Sequence, residues 1–346
     1  MIKTDQRKLG ASGLVVPALG VGVWSWGDTS IWGYGQSHTR DDVTQAYRAC
    51  LEAGLNFFDT AEIYGSGASE HLLGECRRAD GRPIIIASKF APPLTRFSRK
   101  RSSARSLLEA LDHSLERLGV ACIDLYQIHW PSPLLKMDKL MDIMAEAVQA
   151  GKVRAVGVSN YSASLMRQAH TRLARHGIPL ASNQVHYNLL YRYPETNGVL
   201  EACRELDVAL IAYSPLDQGV LTGKYRTGAV SVPFARRLLG GIGPRLDPFG
   251  ETRGVLPVSR RLLRGTRDHR PAKLEPLFVV LEGIARAHEK TIAQVALNWL
   301  VMKDEHIIPI PGAKNARQAS ENAGALGWRL TEEEHARISR AEMASR

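Results

Sequence analysis

Long apolar runs, paired cysteines and a nucleotide-binding glycine motif are all missing from this sequence of 346 residues. No apolar stretch approaches the roughly 18 residues of a membrane-spanning helix, so an integral helical membrane protein is excluded. The four cysteines stand far apart without CxxC spacing, which favours free thiols and argues against a bound metal such as zinc. No Gly-x-Gly-x-x-Gly marks a Rossmann dinucleotide site at a strand–helix junction. The N-terminal residues lack the apolar core of a signal peptide, which predicts a cytoplasmic protein.

Positive charge is in excess, with a formal net charge of +10, and it is concentrated in two segments. Residues 228–273 hold ten Lys or Arg against three Asp or Glu, and a second basic cluster lies between Arg96 and Arg105. Such segments could bind nucleic acid, or they could attract an anionic cofactor or substrate. No aromatic interleaving or nucleic-acid motif supports the first alternative, so we expect no nucleic-acid partner and no membrane partner.

Apolar runs rich in β-branched residues alternate with segments of helical period, which predicts βα units and a parallel sheet. Strands are predicted near residues 18–23, 55–59, 84–89, 123–129, 153–158, 182–187, 209–213 and 306–310. Helices are predicted near residues 40–53, 68–78, 101–118, 137–150, 161–175, 196–206, 275–289 and 315–325. Eight of each in alternation predict the α/β class and a (β/α)8 TIM barrel, with residues 1–346 forming one domain.

Three pieces fall outside this alternation. Leu9–Val16 predicts a short hairpin that caps the barrel floor, and the segments near 291–303 and 331–343 predict two extra C-terminal helices. Residues 226–273 are rich in Arg, Gly and Pro but have little periodicity. A connection of that length is uncommon and is usually functional, so we interpret it as an Arg-rich loop or arm within the domain.

Four proton-handling residues follow the predicted strands: Asp59, Tyr64, Lys89 and His129. The carboxyl ends of the strands in a parallel barrel meet on one face, where active sites form, so these side chains are expected to lie together. A neighbouring ammonium group would lower the tyrosine pKa from its usual value of about 10, and a carboxylate would hold that ammonium charged. The set predicts general acid–base chemistry on a carbonyl or an alcohol.

The chain resembles an aldo-keto reductase over essentially its whole length. Several motifs carry the resemblance in order, beginning with Phe58-Asp59-Thr60-Ala61-Glu62-Ile63-Tyr64-Gly65 and Ser69-Glu70-His71-Leu72-Leu73-Gly74. They continue with Ile128-His129-Trp130, Gly157-Val158-Ser159-Asn160, Tyr213-Ser214-Pro215-Leu216 and Pro311-Gly312-Ala313-Lys314. The pattern is similar to that of the potassium-channel β subunits and of bacterial and plant reductases, some of which act on pyridoxal.

The resemblance implies a reductase in which Tyr64 is the general acid, Lys89 lowers its pKa, Asp59 pairs with Lys89 and His129 orients the carbonyl oxygen. It also implies NADPH as the cofactor. In the family pattern, the nicotinamide is held by Ser159, Asn160, Gln184 and Tyr213. The pyrophosphate is expected along Ser214, Leu216, Gly219 and Lys224, and the adenosine end along Gly312, Lys314, Gln318, Glu321 and Asn322.

One position departs from the family pattern. Many of these reductases have an arginine where Gln318 stands, and that arginine reaches the 2′-phosphate. Lys314 is expected at a helix N-terminus, which favours anions, and could supply the charge instead.

The substrate is a small carbonyl compound whose identity the sequence does not specify. Trp24 and Trp130 follow strands on the active face and are predicted to line its pocket, because aromatic side chains commonly line apolar sites. His186 also ends a strand but has no assigned partner. An alternative hypothesis is a regulatory subunit that binds NADPH with little turnover, and the oligomeric state is open.

Overall fold

A computed structural model describes residues 5–93, 105–226 and 271–344 of the chain. Most of the predicted arm at 226–273, and the basic cluster up to residue 104, lie outside the described residues. The described chain begins with a two-stranded antiparallel hairpin, β1 (Gln6–Lys8) and β2 (Val15–Pro17). The hairpin predicted for residues 9–16 is therefore displaced, because those residues form the connection and one strand rather than both strands.

Eight parallel strands follow in sequential order around one sheet. They are β3 (Val21–Gly22), β4 (Phe57–Asp59), β5 (Ile85–Phe90), β6 (Ile123–Ile128), β7 (Val153–Ser159), β8 (Leu180–His186), β9 (Ala209–Tyr213) and β10 (Ile307–Pro309). The sheet closes on itself, because the Gly20 amide donates to the Pro309 carbonyl over 2.9 Å and the Gly22 amide donates to the Pro311 carbonyl over 3.0 Å. The predicted (β/α)8 barrel is confirmed.

Helices alternate with these strands and surround them. In chain order they are α1 (Arg40–Glu52), α2 (Ala68–Asp80), α3 (Ser106–Leu118), α4 (Met137–Gln149), α5 (Ala163–Ala174), α6 (Val199–Leu206), α7 (Pro271–Ala287), α8 (Ile292–Lys303), α9 (Ala316–Ala323) and α10 (Glu332–Ala344). Their ends follow local chemistry, since Thr39 caps α1 in a capping box and Gly119 ends α3 at a φ of 65°. No helix among the described residues is long and apolar enough to cross a membrane.

The hairpin connection closes the amino-terminal end of the barrel. Leu9, Leu14 and Val16 are buried in a cluster with residues inside the barrel, including Phe57 and Leu125. Gly10 has a φ of 55°, and a Cβ atom there would lie 2.6 Å from the carbonyl oxygens of two neighbouring segments. Only glycine permits this approach without strain. The floor is therefore packed by described residues, which favours the opposite end, where the carboxyl ends of the strands meet, as the place for a small molecule.

Candidate active site

The four predicted proton-handling residues come together at the carboxyl ends of β4, β5 and β6. Asp59 is the last residue of β4, Lys89 lies near the end of β5, and His129 directly follows β6. Tyr64 stands in a short 3-10 turn after β4. Lys89 Nζ lies 2.6 Å from Asp59 Oδ2 and 3.3 Å from the Tyr64 hydroxyl, and the rings of Tyr64 and His129 meet edge to face at 5.7 Å.

The Lys89 ammonium group has a hydrogen-bond acceptor for each of its three protons. Besides Asp59 and Tyr64, it donates to the Thr60 carbonyl oxygen over 2.9 Å. The side chain is fully buried, and burial lowers the Lys89 pKa while the Asp59 carboxylate opposes that shift. A buried ammonium is tolerated only when it is paired and hydrogen-bonded, so this acceptor set holds the charge next to the Tyr64 hydroxyl.

Asp59 is itself held by side chains from two further strands. Its second oxygen, Oδ1, accepts from Gln184 Nε2 over 2.7 Å and from Gln127 Nε2 over 3.3 Å. Gln184, which the sequence predicted as a cofactor contact, binds Asp59 through its amide nitrogen, and its contact with the cofactor stays a prediction. Gln127 was not predicted. It stands two positions before His129 in β6 and therefore shares its face of the strand, which is a sequence signal for a side chain inside the barrel.

The pKa of Tyr64 is raised well above its usual value, first by burial and then by the Asp59 carboxylate. The predicted lowering by the Lys89 ammonium concerns that group's own effect on the pKa, and it stays a prediction. Burial and the Asp59 carboxylate make a phenolate costly in this enclosed position. Tyr64 is therefore a neutral phenol at physiological pH and holds the proton that an acid would donate.

His129 is a neutral imidazole at physiological pH. Burial, and then the nearby Lys89 charge, hold its pKa well below the usual range. Within the described part of the chain, its Nδ1 is buried without a hydrogen-bond partner. A buried N–H without a partner costs more than an unused acceptor, so the favoured tautomer carries the proton on Nε2.

Aromatic rings surround the Tyr64–His129 pair. Trp24 stacks on Tyr64 at 5.5 Å, and Trp130 lies 4.6 Å from the His129 ring. The Trp130 indole donates to the Pro92 carbonyl, which fixes its orientation. Trp24 therefore lies beside Tyr64 and Trp130 beside His129, and their role as walls of a substrate pocket stays a prediction.

Three of the residues predicted to hold the nicotinamide are linked by hydrogen bonds beside the tetrad. The Tyr213 hydroxyl donates to Asn160 Oδ1 over 3.1 Å. Asn160 Nδ2 donates to Ser159 Oγ over 3.0 Å and to the His129 carbonyl over 3.1 Å. Asn160 has a φ of 60°, a conformation that non-glycine residues rarely adopt and that tends to occur at functional sites.

The predicted pyrophosphate segment follows β9 and has an unusual backbone. Ser214 and Gln218 have φ values of 51° and 55°, and Gly219 has a φ of 96°. A Cβ atom at Gly219 would lie 2.7 Å from Lys224 Nζ. Lys224 is exposed and Leu216 is half-buried.

The residues predicted for the adenosine end lie in the connection after β10 and in α9. The Gln318 side chain accepts from the Lys314 amide over 2.9 Å, and Asn322 Nδ2 donates to the Gly312 carbonyl over 3.1 Å. Glu321 is half-buried on the same helix. Lys314 Nζ donates to the Trp32 carbonyl over 2.6 Å and to Ser37 Oγ over 3.0 Å, so it reaches across to the β3–α1 connection.

Comparisons with known proteins agree with this geometry. A family model described as the aldo/keto reductase family matches residues 18–342. The chain is 35% identical to the chloroplastic pyridoxal reductase of Arabidopsis thaliana, over 98% of this chain and 87% of the relative. It is 31% identical to the L-glyceraldehyde 3-phosphate reductase of Escherichia coli K12, over 92% of this chain and 87% of that protein.

A solved structure is similar as well. The aldo/keto reductase from Klebsiella pneumoniae, in complex with NADP and acetate, superposes with a TM-score of 0.69 at 26% identity. The match covers 96% of this chain and 94% of the Klebsiella chain.

Proposed function

The chain belongs to the aldo/keto reductase family, and we propose that it reduces the carbonyl group of an aldehyde or ketone with NADPH, Tyr64 acting as the general acid. The observation that carries this proposal is the chain of contacts from Asp59 through Lys89 to the Tyr64 hydroxyl, at 2.6 and 3.3 Å. It places a protonated phenol beside a buried positive charge in an aromatic pocket. Proton donation to a carbonyl oxygen requires that arrangement.

The described residues fit NADPH. Tyr213 offers a ring whose hydroxyl is anchored on Asn160, and the turn at Gly219 has a φ of 96°, which favours glycine. Asn315 caps the N-terminus of α9 by accepting from the Gln318 amide, and a helix N-terminus favours a phosphate group. Ser159, Asn160 and Tyr213 would hold the nicotinamide, and Lys314 the 2′-phosphate. When bound, NADPH supplies the hydride.

The protein residues handle the proton and the charge. His129 donates its N–H to the carbonyl oxygen, which orients and polarises the bond. As the carbonyl carbon gains a hydride, the oxygen takes the phenolic proton of Tyr64, and the carbonyl becomes an alcohol. Lys89 stabilises the phenolate that forms, and Asp59 keeps the ammonium in place. Such charge stabilisation is strongest where water is excluded, as in this buried pair.

The substrate is proposed to be a flat aromatic aldehyde such as pyridoxal. Two observations support this choice: one relative is a pyridoxal reductase, and Trp24 and Trp130 flank the reacting side chains. Stacking of a flat ring between aromatic walls is favourable in an offset or edge arrangement. A small polyol aldehyde has no ring to stack against those walls.

The test is NADPH oxidation with a panel of aldehydes and ketones that includes pyridoxal, for wild type and Tyr64→Phe. The variant removes the acid and keeps the ring, so we expect kcat to fall by roughly 10²- to 10⁴-fold while NADPH binding is retained. Tyr47→Phe is the matched control, because Tyr47 is buried in the core and its hydroxyl has no partner among the described residues.

Turnover by Tyr64→Phe at the wild-type rate would remove Tyr64 from the role of acid. Tight NADPH binding by wild type without turnover on any carbonyl would instead favour a cofactor-sensing protein. The two outcomes are distinguished by measuring binding and turnover on the same preparation.

A further inference from the structure

His186 ends β8 on the active face and has no part in the proposed reaction. Its imidazole ring lies between two tyrosine rings, Tyr191 at 4.4 Å and Tyr213 at 5.3 Å. The three rings are nearly parallel, since the interplanar angles are 11° and 8°. His186 is only 8% exposed, so the stack is built into the wall of the site.

Tyr213 is held on one face and at its far end. His186 covers that face, and the Tyr213 hydroxyl donates to Asn160. The ring is therefore restrained both in tilt and in position. A nicotinamide that stacks on Tyr213 can use only the face opposite His186.

Asn188 fixes the orientation of the imidazole. Asn188 Oδ1 accepts from the amides of Leu190 and Tyr191 over 2.9 and 2.8 Å, so Nδ2 is the donor end. Nδ2 donates to His186 Nε2 over 3.1 Å and to the Ser214 carbonyl over 2.9 Å. His186 Nε2 therefore accepts this hydrogen bond, which in a neutral ring places the proton on Nδ1, and Asp217 Oδ1 lies 3.9 Å from the same Nε2. The same amide supports the turn at Ser214.

We propose that His186 is a positioning residue for the nicotinamide ring, acting through Tyr213. Asn188 holds the imidazole flat against Tyr213, and Tyr191 supports it from behind. The plane of Tyr213 is thereby set before the cofactor arrives. This inference rests on the proposed function, because it assumes that NADPH binds with its nicotinamide on Tyr213.

Two substitutions separate the ring from the hydrogen bond. His186→Phe keeps a flat ring in the stack but gives Asn188 no acceptor, whereas His186→Gln keeps an acceptor and removes the ring. Aromatic pairs contribute enough beyond burial to change binding by roughly two- to tenfold. We expect the NADPH dissociation constant to rise by about that factor in His186→Gln and to stay within about twofold of wild type in His186→Phe.

Binding is measured by titrating NADPH against protein fluorescence, and melting temperatures establish that both variants fold. At saturating NADPH, the KM for the carbonyl substrate should be unchanged in both variants, because His186 acts on the cofactor side. Nitrogen NMR of the cofactor-free wild type should show the His186 proton on Nδ1. A proton on Nε2 would overturn the assigned role of Asn188 even if the variants were too unstable to titrate.

The other outcomes are decisive as well. Wild-type affinity in His186→Gln overturns the stacking role. An equal loss in both variants assigns the effect to the Asn188 hydrogen bond and also contradicts the proposal. If wild type itself does not bind NADPH, the proposed function and this inference are both wrong. If wild type binds NADPH and His186→Gln binds it equally well, only this inference is wrong.

Discussion

Asp59 is the residue on which the site depends most. Its two oxygens accept from Lys89, Gln184 and Gln127, which come from three different strands. The position of Lys89, and through it the charge next to Tyr64, is therefore set by cross-barrel contacts. The sequence predicted the Asp59–Lys89 pair because both residues stand at strand ends. It could not predict the amide contacts, because these depend on strand register and on the distances across the barrel interior.

The rate of carbonyl reduction should be independent of pH from about pH 6.5 to about pH 9. The pKa of His129 is held well below its usual value, so the imidazole stays neutral over this range. The pKa of Tyr64 is raised, so the phenol keeps its proton. Any loss of rate at still higher pH is caused by deprotonation of the coupled Lys89–Tyr64 pair, because Lys89 has a lowered pKa. The measurement is kcat at saturating NADPH and carbonyl substrate across this range.

His129→Gln is the control for the acidic side of that profile. Glutamine can donate a hydrogen bond but does not titrate near neutral pH. If wild type shows a break between about pH 6 and 8 that this variant lacks, His129 gains a proton in the working enzyme and its assignment as a neutral donor is wrong.

At the scale of elements, sequence pattern predicted all eight barrel strands and the helices between them, with ends displaced by a few residues. The helix ends could be predicted because capping residues such as Thr39 and Gly119 act through contacts that are local in sequence. The N-terminal hairpin was misplaced for the opposite reason. Leu9 and Leu14 are apolar because they seal the barrel floor, a tertiary role that resembles strand alternation in sequence.

The start of α9 is the element on which cofactor preference is predicted to depend. Lys314 precedes the helix and is half-buried, with its ammonium group bound to the β3–α1 connection. We expect Lys314→Met to weaken NADPH binding by about tenfold and to leave NADH binding nearly unchanged, because only NADPH carries the 2′-phosphate. Fluorescence titration with each cofactor measures both constants.

Arg317 provides the matched control for this prediction. It lies in the first turn of the same helix and its side chain is 80% exposed. Arg317→Met should bind both cofactors as wild type does. If this variant loses NADPH affinity and Lys314→Met does not, then Arg317 contacts the 2′-phosphate and Lys314 does not.

At the scale of the whole molecule, one carboxylate joins the barrel to its C-terminal helices. Glu195, in the connection after β8, accepts from Arg192 over 2.6 Å and from Tyr187 over 2.8 Å. It also lies 3.1 Å from Lys303 at the end of α8. Arg192 in turn reaches Glu342 in α10 at 3.6 Å. Burial alone would raise the pKa of Glu195, but its hydrogen bonds and the nearby charges lower it to about 2.

This carboxylate should make the protein sensitive to acid. Its pKa is lower in the folded chain than in the unfolded chain, so its contribution is complete above about pH 4.5 and is lost as the pH falls towards 2. The shift corresponds to about 3 kcal/mol. We expect the difference in unfolding free energy between wild type and Glu195→Gln to shrink by about that amount between pH 7 and pH 2. Urea unfolding at several pH values measures it.

Glu146→Gln serves as the reference for the acid experiment, because Glu146 is exposed on α4. The difference in unfolding free energy between Glu146→Gln and wild type should stay nearly constant with pH. If the unfolding free energies of wild type and Glu195→Gln change with pH in parallel, the Glu195 network contributes no pH-dependent stability.

The closure of the barrel between β3 and β10 also affects how the chain reaches its folded state. The bonds from Gly20 to Pro309 and from Gly22 to Pro311 join segments that lie near opposite ends of the sequence. A chain that emerges from the ribosome therefore carries unpaired strand edges until β10 has been synthesised. Contacts of such long sequence separation form late and slow folding. During that interval the growing sheet is open to pairing with other chains, so the nascent protein is most vulnerable to aggregation just before its last segment is complete.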